Sequence, residues 1–425
     1  MAINFNDTII SAINLMIKND AVVLGILLVI LSFIFQTSRS ENKFWKKFYK
    51  YVPTLLLCYF LPSLLNTFGI VSGKESKLYF ITSRYLLPAS LVLLTISIDL
   101  REILKLGSKS LIMFFTGTIG IIFGGPIALF FLLFFSPDLL VINGSDSVWR
   151  GFTTVAGSWI GGGANQAAMK EIFNVSDDLF SSMVAIDVVV ANIWMAFLLY
   201  GAGMCKKIDK WTGANTGSIK NLKEKMENYQ LKITRLPNLS DTLFVMAVAF
   251  GISGLAHFLG DIIAPFISRN APYLSRFNLT SSFFWLIIIT TTISIILSFT
   301  PMREIEGVGA SRYGSLFLYL LVATIGIKMD VLAIFDNPIL FLAAFFWIIF
   351  HAALLIIVAY IIKAPFFFLA VGSQANIGGA ASAPIVASAF HKSLAPVGVL
   401  LAVMGYAVGT YGAWFCGVMM NAISP

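Results

Sequence analysis

GSWIGGGANQAAMKE, Gly157–Glu171, interrupts an apolar run with glycines and amides, and GSQANIGGAASAP, Gly372–Pro384, does the same in the other half of the chain. Hydropathy places both stretches at membrane depth. Non-helical backbone is tolerated there only where protein or a water-filled cavity satisfies its polar groups. Glycine-interrupted segments at corresponding places in two halves are the sequence mark of a secondary transporter's binding site.

Composition sets the class. Of 425 residues, 58% are hydrophobic and 12% charged, with a mean hydropathy of +0.87. Soluble domains are about 25% charged, so the chain is expected to be an all-α integral membrane protein whose first partner is the lipid bilayer. The net charge of +8 resides largely in short loops, where it sets orientation, and no nucleic-acid partner is expected. Cys58, Cys205 and Cys416, and His257, His351 and His391, show no metal-ligand spacing. No nucleophile, P-loop or dinucleotide motif stands in a suitable context. The expectation is therefore no enzyme, no cofactor, and no metal beyond a coupling Na⁺. No signal-peptide pattern is read at the N-terminus, and residues 3–17 read as a short interfacial helix.

About 20 apolar residues span a bilayer. By that rule twelve segments lie near 20–36, 52–71, 79–98, 109–135, 149–173, 179–203, 239–263, 281–299, 312–329, 337–362, 365–390 and 395–421. The polar stretch 204–238 divides them and carries Lys206, Lys207, Lys210, Lys220, Lys223, Lys225, Lys232 and Arg235. It is assigned to the cytoplasm, as is loop 37–51 with Arg39, Lys43, Lys46, Lys47 and Lys50. Counting crossings from loop 37–51 reaches the linker on the correct side only if segment 149–173 enters and returns on one face. Gly161, Gly162 and Gly163 permit that turn, and two arms of about ten residues, near 15 Å each, reach the midplane and back. Pro365, Gly378, Gly379 and Pro384 allow the same for segment 365–390.

The expected architecture is two inverted-topology repeats, each about five spanning helices plus one glycine-rich re-entrant helical hairpin. Residues 1–203 form the first repeat, 204–238 a cytoplasmic basic linker, and 239–425 the second repeat. Both termini are expected on the side of the membrane opposite the linker. SRYLLPASLVLLTISIDL, Ser83–Leu100, and SRYGSLFLYLLVATIGIKMD, Ser311–Asp330, share an opening that agrees with an internal repeat.

The candidate substrate residues sit at the two tips: Ser158, Gly161, Gly162, Gly163, Asn165 and Gln166 in the first, and Ser373, Gln374, Asn376, Gly378 and Gly379 in the second. Helix ends at a break expose N–H groups that favour an anion and carbonyls that favour a small cation. Asn165 and Asn376 would supply amide contacts. Asp187 lies inside a span, where a carboxylate is expensive and usually faces an ion path. It is assigned to ion coupling together with Asn192. Asp99, Arg101, Glu102, Lys328 and Asp330 read as interfacial charges, and Arg84 and Arg312 as orientation or snorkelling residues or, alternatively, as guides for an anionic substrate. His351 reads as a buried, bonded histidine or, less favourably, a proton relay. Gly405, Gly409, Thr410 and Gly412, with Gly117, Gly120, Gly124 and Gly125, read as close-packing faces.

GSWIGGGAN (Gly157–Asn165), SQANIGG (Ser373–Gly379) and GYAVGTYGAW (Gly405–Trp414) together resemble the bacterial membrane family carrying domain-of-unknown-function label 819, over nearly the whole chain. That family distantly resembles sodium/glutamate symporters and 2-hydroxycarboxylate transporters. The resemblance implies inverted repeats, re-entrant hairpins, elevator movement and a homodimer. It carries over residues 158–166 and 373–379 as binding positions. The function expected is a cation-coupled secondary transporter of a small organic anion, with Na⁺ favoured over H⁺ as coupling ion. The alternatives are a Na⁺/H⁺ antiporter using Asp187 and a membrane receptor or enzyme.

Overall fold

The computed structural model describes residues 17–52, 54–73, 75–97, 103–104, 106–214, 219, 237–329, 338–391 and 394–424. Residues 3–16, Asp99, Arg101, Glu102, Asp330 and most of the linker lie outside them. The described residues are helical, with one isolated bridge between Ile17 and Val71.

Fifteen helices are labelled in chain order. They are α1 (Asp20–Ser38), α2 (Lys43–Tyr51), α3 (Thr54–Thr67), α4 (Leu78–Ile96), α5 (Ser108–Phe135), α6 (Val148–Ile172), α7 (Asp177–Gly203) and α8 (Cys205–Thr212). The others are α9 (Leu239–Asn270), α10 (Ser282–Ser298), α11 (Ala310–Gly326), α12 (Ile339–Ile361), α13 (Phe366–Ile377), α14 (Gly379–Phe390) and α15 (Ala395–Ile423). Seven of these are long and apolar enough to cross a bilayer by themselves: α1, α4, α5, α7, α9, α12 and α15. The protein is thus a multi-pass membrane protein. The expected segments at 52–71, 281–299 and 312–329 appear as the shorter α3, α10 and α11.

Local chemistry explains the helix starts. Asn19 caps α1 by accepting from the Ala21 and Val22 N–H groups. Asn238 and Asp241 close a reciprocal capping box on α9. Two departures from the hydropathy reading are additional helices: loop 37–51 contains α2, and the linker begins with α8. Both are short and basic, so averaged hydropathy reads them as loop.

The helices assemble into two bundles that cut across the sequence halves. α1, α3 and α4 pack with α9, α10 and α11; α5, α6 and α7 pack with α12, α13, α14 and α15. Each bundle therefore takes three consecutive segments from each half. The second bundle is held at close range by glycines. A Cβ on Gly124 would fall 2.3 Å from the Trp347 ring, and one on Gly120 3.2 Å from the His351 backbone, so α5 and α12 meet almost backbone to backbone. Between the bundles an apolar cavity of about 390 Å³ is lined by Phe115, Ile295, Phe299, Met404 and Val408 among others.

α6 is not straight. Gly162 has φ 74° and ψ −174°, a region open essentially only to glycine. The chain doubles back there: a Cβ on Gly157 would stand 2.7 Å from the Asn165 carbonyl oxygen and 3.0 Å from the Met169 side chain. Residues eight apart in a straight helix are separated by about 12 Å. The second break falls between α13 and α14 at Gly378–Gly379, and across it the Gln374 amide donates to Ser382 Oγ at 2.7 Å.

Candidate functional site

The two breaks meet. A Cβ on Gly379 would lie 3.8 Å from Gly162 Cα. α15 passes beside them, and a Cβ on Gly405 would lie 2.6 Å from the Ile160 carbonyl oxygen and 3.7 Å from that of Ala375. Only a glycine fits between both turns. Ser158, Asn165, Gln166, Ser373, Gln374 and Asn376 are all buried, so the expected tip residues are gathered in the interior of the second bundle.

The two asparagines make matching clamps. Asn165 Nδ2 donates to the Gly161 carbonyl, four residues back, at 3.0 Å and to the Tyr406 carbonyl of α15 at 3.3 Å. Its Oδ1 accepts from Thr410 Oγ1 at 2.6 Å. Asn376 Nδ2 donates to the Gly372 carbonyl, again four back, at 3.0 Å and to the Phe114 carbonyl of α5 at 2.9 Å. Its Oδ1 accepts from Thr118 at 2.8 Å. Each neighbour supplies the same spacing, Phe114–Gly117–Thr118 and Tyr406–Gly409–Thr410. The glycines clear room for the amide: Cβ atoms on Gly117 and Gly409 would sit 2.9 and 2.8 Å from the Asn376 and Asn165 amide nitrogens. In this conformation both amides join helix to helix. The sequence reading had reserved them for substrate.

Asp187 is buried on α7 and fastens the first turn. Its Oδ2 accepts from Ser158 Oγ at 2.6 Å and Gln166 Nε2 at 3.2 Å, and its Oδ1 from Trp159 Nε1 at 2.7 Å. Ser158 and Trp159 precede Gly162 and Gln166 follows it, so one carboxylate ties both arms. Asn192, paired with Asp187 in the sequence reading, does not join it. Its amide donates to Val188 O in its own helix at 2.7 Å, because five residues on a helix rotate it away from the Asp187 face.

The second turn is fastened by neutral groups. Trp194 Nε1 donates to Ser373 Oγ at 2.8 Å. His351 Nε2 lies 2.8 Å from the same hydroxyl, and Nδ1 lies 3.0 Å from the Gly117 carbonyl. A carbonyl can only accept, so the ring proton is on Nδ1 and Ser373 donates to Nε2. Asp187 and Trp194 stand seven residues, about two turns, apart on α7, so one helix reaches both turns.

Two polar atoms at the turns are left over. Gln166 Oε1 and Gln374 Oε1 are buried with no hydrogen-bond partner among the described residues. Both are acceptors; Gln166 lies in the arm that follows the first break and Gln374 in the arm that precedes the second. No group of three or more His, Cys, Asp or Glu suited to a metal occurs among the described residues.

Sequence reasoning missed a charged cluster where α6 ends. Lys170, with its side chain 6% exposed, pairs with Asp177 at 2.8 Å, and Lys328 pairs with the same carboxylate at 3.1 Å. Arg84 pairs with Glu171 at 2.9 Å and lies over the Phe283 ring. The Tyr79 hydroxyl donates to Glu171 and accepts from Lys170. Tyr79, Arg84 and Lys328 belong to the first bundle, and Lys170, Glu171 and Asp177 to the second, so the cluster crosses the boundary between them. Arg84, expected to orient or snorkel, is instead an inter-bundle ion-pair partner. A signal was present in the string MKE closing a hydrophobic segment, but it reads equally well as a solvated boundary.

The comparisons with known proteins follow this geometry. A sequence model of the family described as "Protein of unknown function (DUF819)" matches residues 25–423. The "Uncharacterized membrane protein YjcL" of Bacillus subtilis (strain 168) is 25% identical over 360 residues, covering 81% of this chain and 84% of that protein.

Proposed function

The chain belongs to the DUF819 family, and we propose that it is a secondary transporter that moves a small organic anion by alternating access, coupled to a cation, with Na⁺ favoured. The observation that carries the reading is the meeting of two glycine turns, one from each half, at Gly162 and Gly379 inside a buried bundle. In this reading the turns are the tips of re-entrant hairpins, and the halves are inverted repeats. Their helices are shared equally between the two bundles. The second bundle carries the substrate past the first, in the manner of an elevator.

The chemistry supports a two-ion site. The arms that begin after each break, at Gly163 and Gly379, direct N–H groups toward the junction, which favours an anion. Gln166 Oε1 and Gln374 Oε1 are acceptors without donors among the described residues and suit a small cation. The inter-bundle cluster holds three cations against two carboxylates, which favours approach of an anion from that side. The cluster adjoins the loop 136–149, free of Lys and Arg. The proposed orientation puts that loop and both termini outside the inner membrane and the linker in the cytoplasm.

The test is a thermal-stability screen of purified protein with amino acids, di- and tricarboxylates and keto acids, each in Na⁺ and in choline. A ligand present at 100 times its Kd stabilises by about 2.7 kcal/mol. A shift from one acid that requires Na⁺, followed by Na⁺-dependent uptake into proteoliposomes, is the expected result. Response to Na⁺ and pH with no acid effective would replace this reading with the antiporter. Response to none of them would remove the transport reading.

A further inference from the structure

α2 has the sequence KFWKKFYKY, Lys43–Tyr51. The helix period separates its residue types. Trp45 packs edge-on against Phe33 of α1 at 5.7 Å between ring centroids. The Tyr49 hydroxyl lies 2.6 Å from Thr37 Oγ1 and donates to the Ile34 carbonyl at 3.0 Å. Lys43, Lys46 and Lys47 are exposed on the other side. Phe44, beside them, is 65% exposed.

These contacts fix the depth and direction of α2. Phe33, Ile34 and Thr37 are in the last turns of α1, whose 19 residues are about 28 Å long, close to the hydrocarbon thickness. α2 is therefore pinned where α1 leaves the membrane. The axis turns by 93° between α2 and the following α3, so α2 runs across the direction of the spanning helices. A basic helix with exposed aromatic surface, held in the membrane plane at headgroup level, has the composition of an interfacial anchor.

We propose that α2 is a binding surface for anionic phospholipid headgroups, with Lys43, Lys46 and Lys47 on the phosphates and Phe44 inserted at the acyl boundary. Charge complementarity selects the occupant. Lysine near an anionic leaflet contributes about 1 kcal/mol per residue, and of the three, among the described residues, only Lys46 forms an ion pair, with the exposed Glu41. The surface belongs to the first bundle and lies apart from the glycine turns, so it stands whether or not the transport reading does.

Trp45 supplies the probe. The full-length protein is reconstituted with brominated phosphatidylglycerol or brominated phosphatidylcholine at equal mole fraction. The Trp45 signal is the difference between the wild-type chain and Trp45→Phe. The expected result is stronger quenching by the brominated phosphatidylglycerol. Lys43→Gln/Lys46→Gln/Lys47→Gln should abolish the preference, and the triple Lys→Arg variant should keep it. Removing three such lysines lowers the local affinity for anionic lipid by roughly 100-fold. Raising the ionic strength to 1 M on the wild-type chain should weaken the preference, and does not depend on the variant folding. Equal quenching by the two lipids in the wild-type protein overturns the proposal, as does a Trp45 signal that neither lipid reaches.

Discussion

The two glycine turns share a skeleton and differ in what holds it. Each has an asparagine that bonds four residues back, reaches a neighbouring helix carbonyl and accepts from a threonine four residues further along that helix. The first turn is then tied by the Asp187 carboxylate, the second by a tryptophan, a serine and a histidine. The asparagine clamps are alike in the two halves, while the turn backbones differ, Gly162 at φ 74° and ψ −174° against Gly379 at φ 55°, and charge is placed at one turn only. A buried carboxylate with three donors is a stronger fastening than a serine shared by two rings, because hydrogen bonds to charged groups contribute more than neutral ones. The first turn should accordingly be the more rigid of the two.

The largest expected effect tests that directly. Asp187→Leu leaves Ser158, Trp159 and Gln166 without their acceptor and should destabilise the protein by on the order of 3 kcal/mol or more. Ser373→Ala should cost about 1–3 kcal/mol, since it strands one indole N–H and one imidazole nitrogen. Unfolding in detergent measures both, and equal losses would break the comparison. Next come the turns themselves. Gly162→Ala forces a side chain into a glycine-only region and should cost about 1–3 kcal/mol. Gly379, at φ 55°, lies where asparagine is also accommodated, so Gly379→Asn should cost less than about 1 kcal/mol. The clamps sharpen the likeness: Asn165→Ala and Asn376→Ala should each cost about 1–2 kcal/mol, within about 0.5 kcal/mol of one another. The smallest effect is expected at the bundle boundary. Glu171→Gln keeps a hydrogen-bonding shape but removes the Arg84 ion pair. It should change global stability by about 1 kcal/mol or less, while hydrogen exchange near Arg84 and Lys170 increases.

Much of this was legible in the chain. Spanning helices follow from runs of apolar residues, and α5, α7 and α15 begin and end within a few residues of the hydropathy segments. Gly161–Gly163 and Gly378–Gly379 stood out because three or two glycines have no place in a helix interior. Asp187 stood out because a charge in a span is costly. What the chain does not carry is the identity of partners. Nothing local to Asn165 names Thr410, 245 residues away, and a free amide and a clamped one look the same in sequence. α2 was hidden for a different reason. Its lysines and aromatics cancel in an average, and only their angular separation around the helix marks the segment as structured. Lys170 and Glu171 were hidden because charges at a segment's end are ordinary, until folding closes another bundle over them.

The arrangement around His351 has a consequence for proton conduction. Relay along a hydrogen-bonded chain requires every member to take a proton on one side and release one on the other. Ser373 and the imidazole can do so. The indole of Trp194 cannot, since its nitrogen has no lone pair to receive a proton. The chain ends at an insulator, and its other end is a backbone carbonyl. With these bonds in place, Trp194, Ser373, His351 and the Gly117 carbonyl do not by themselves form a continuous relay for proton hopping.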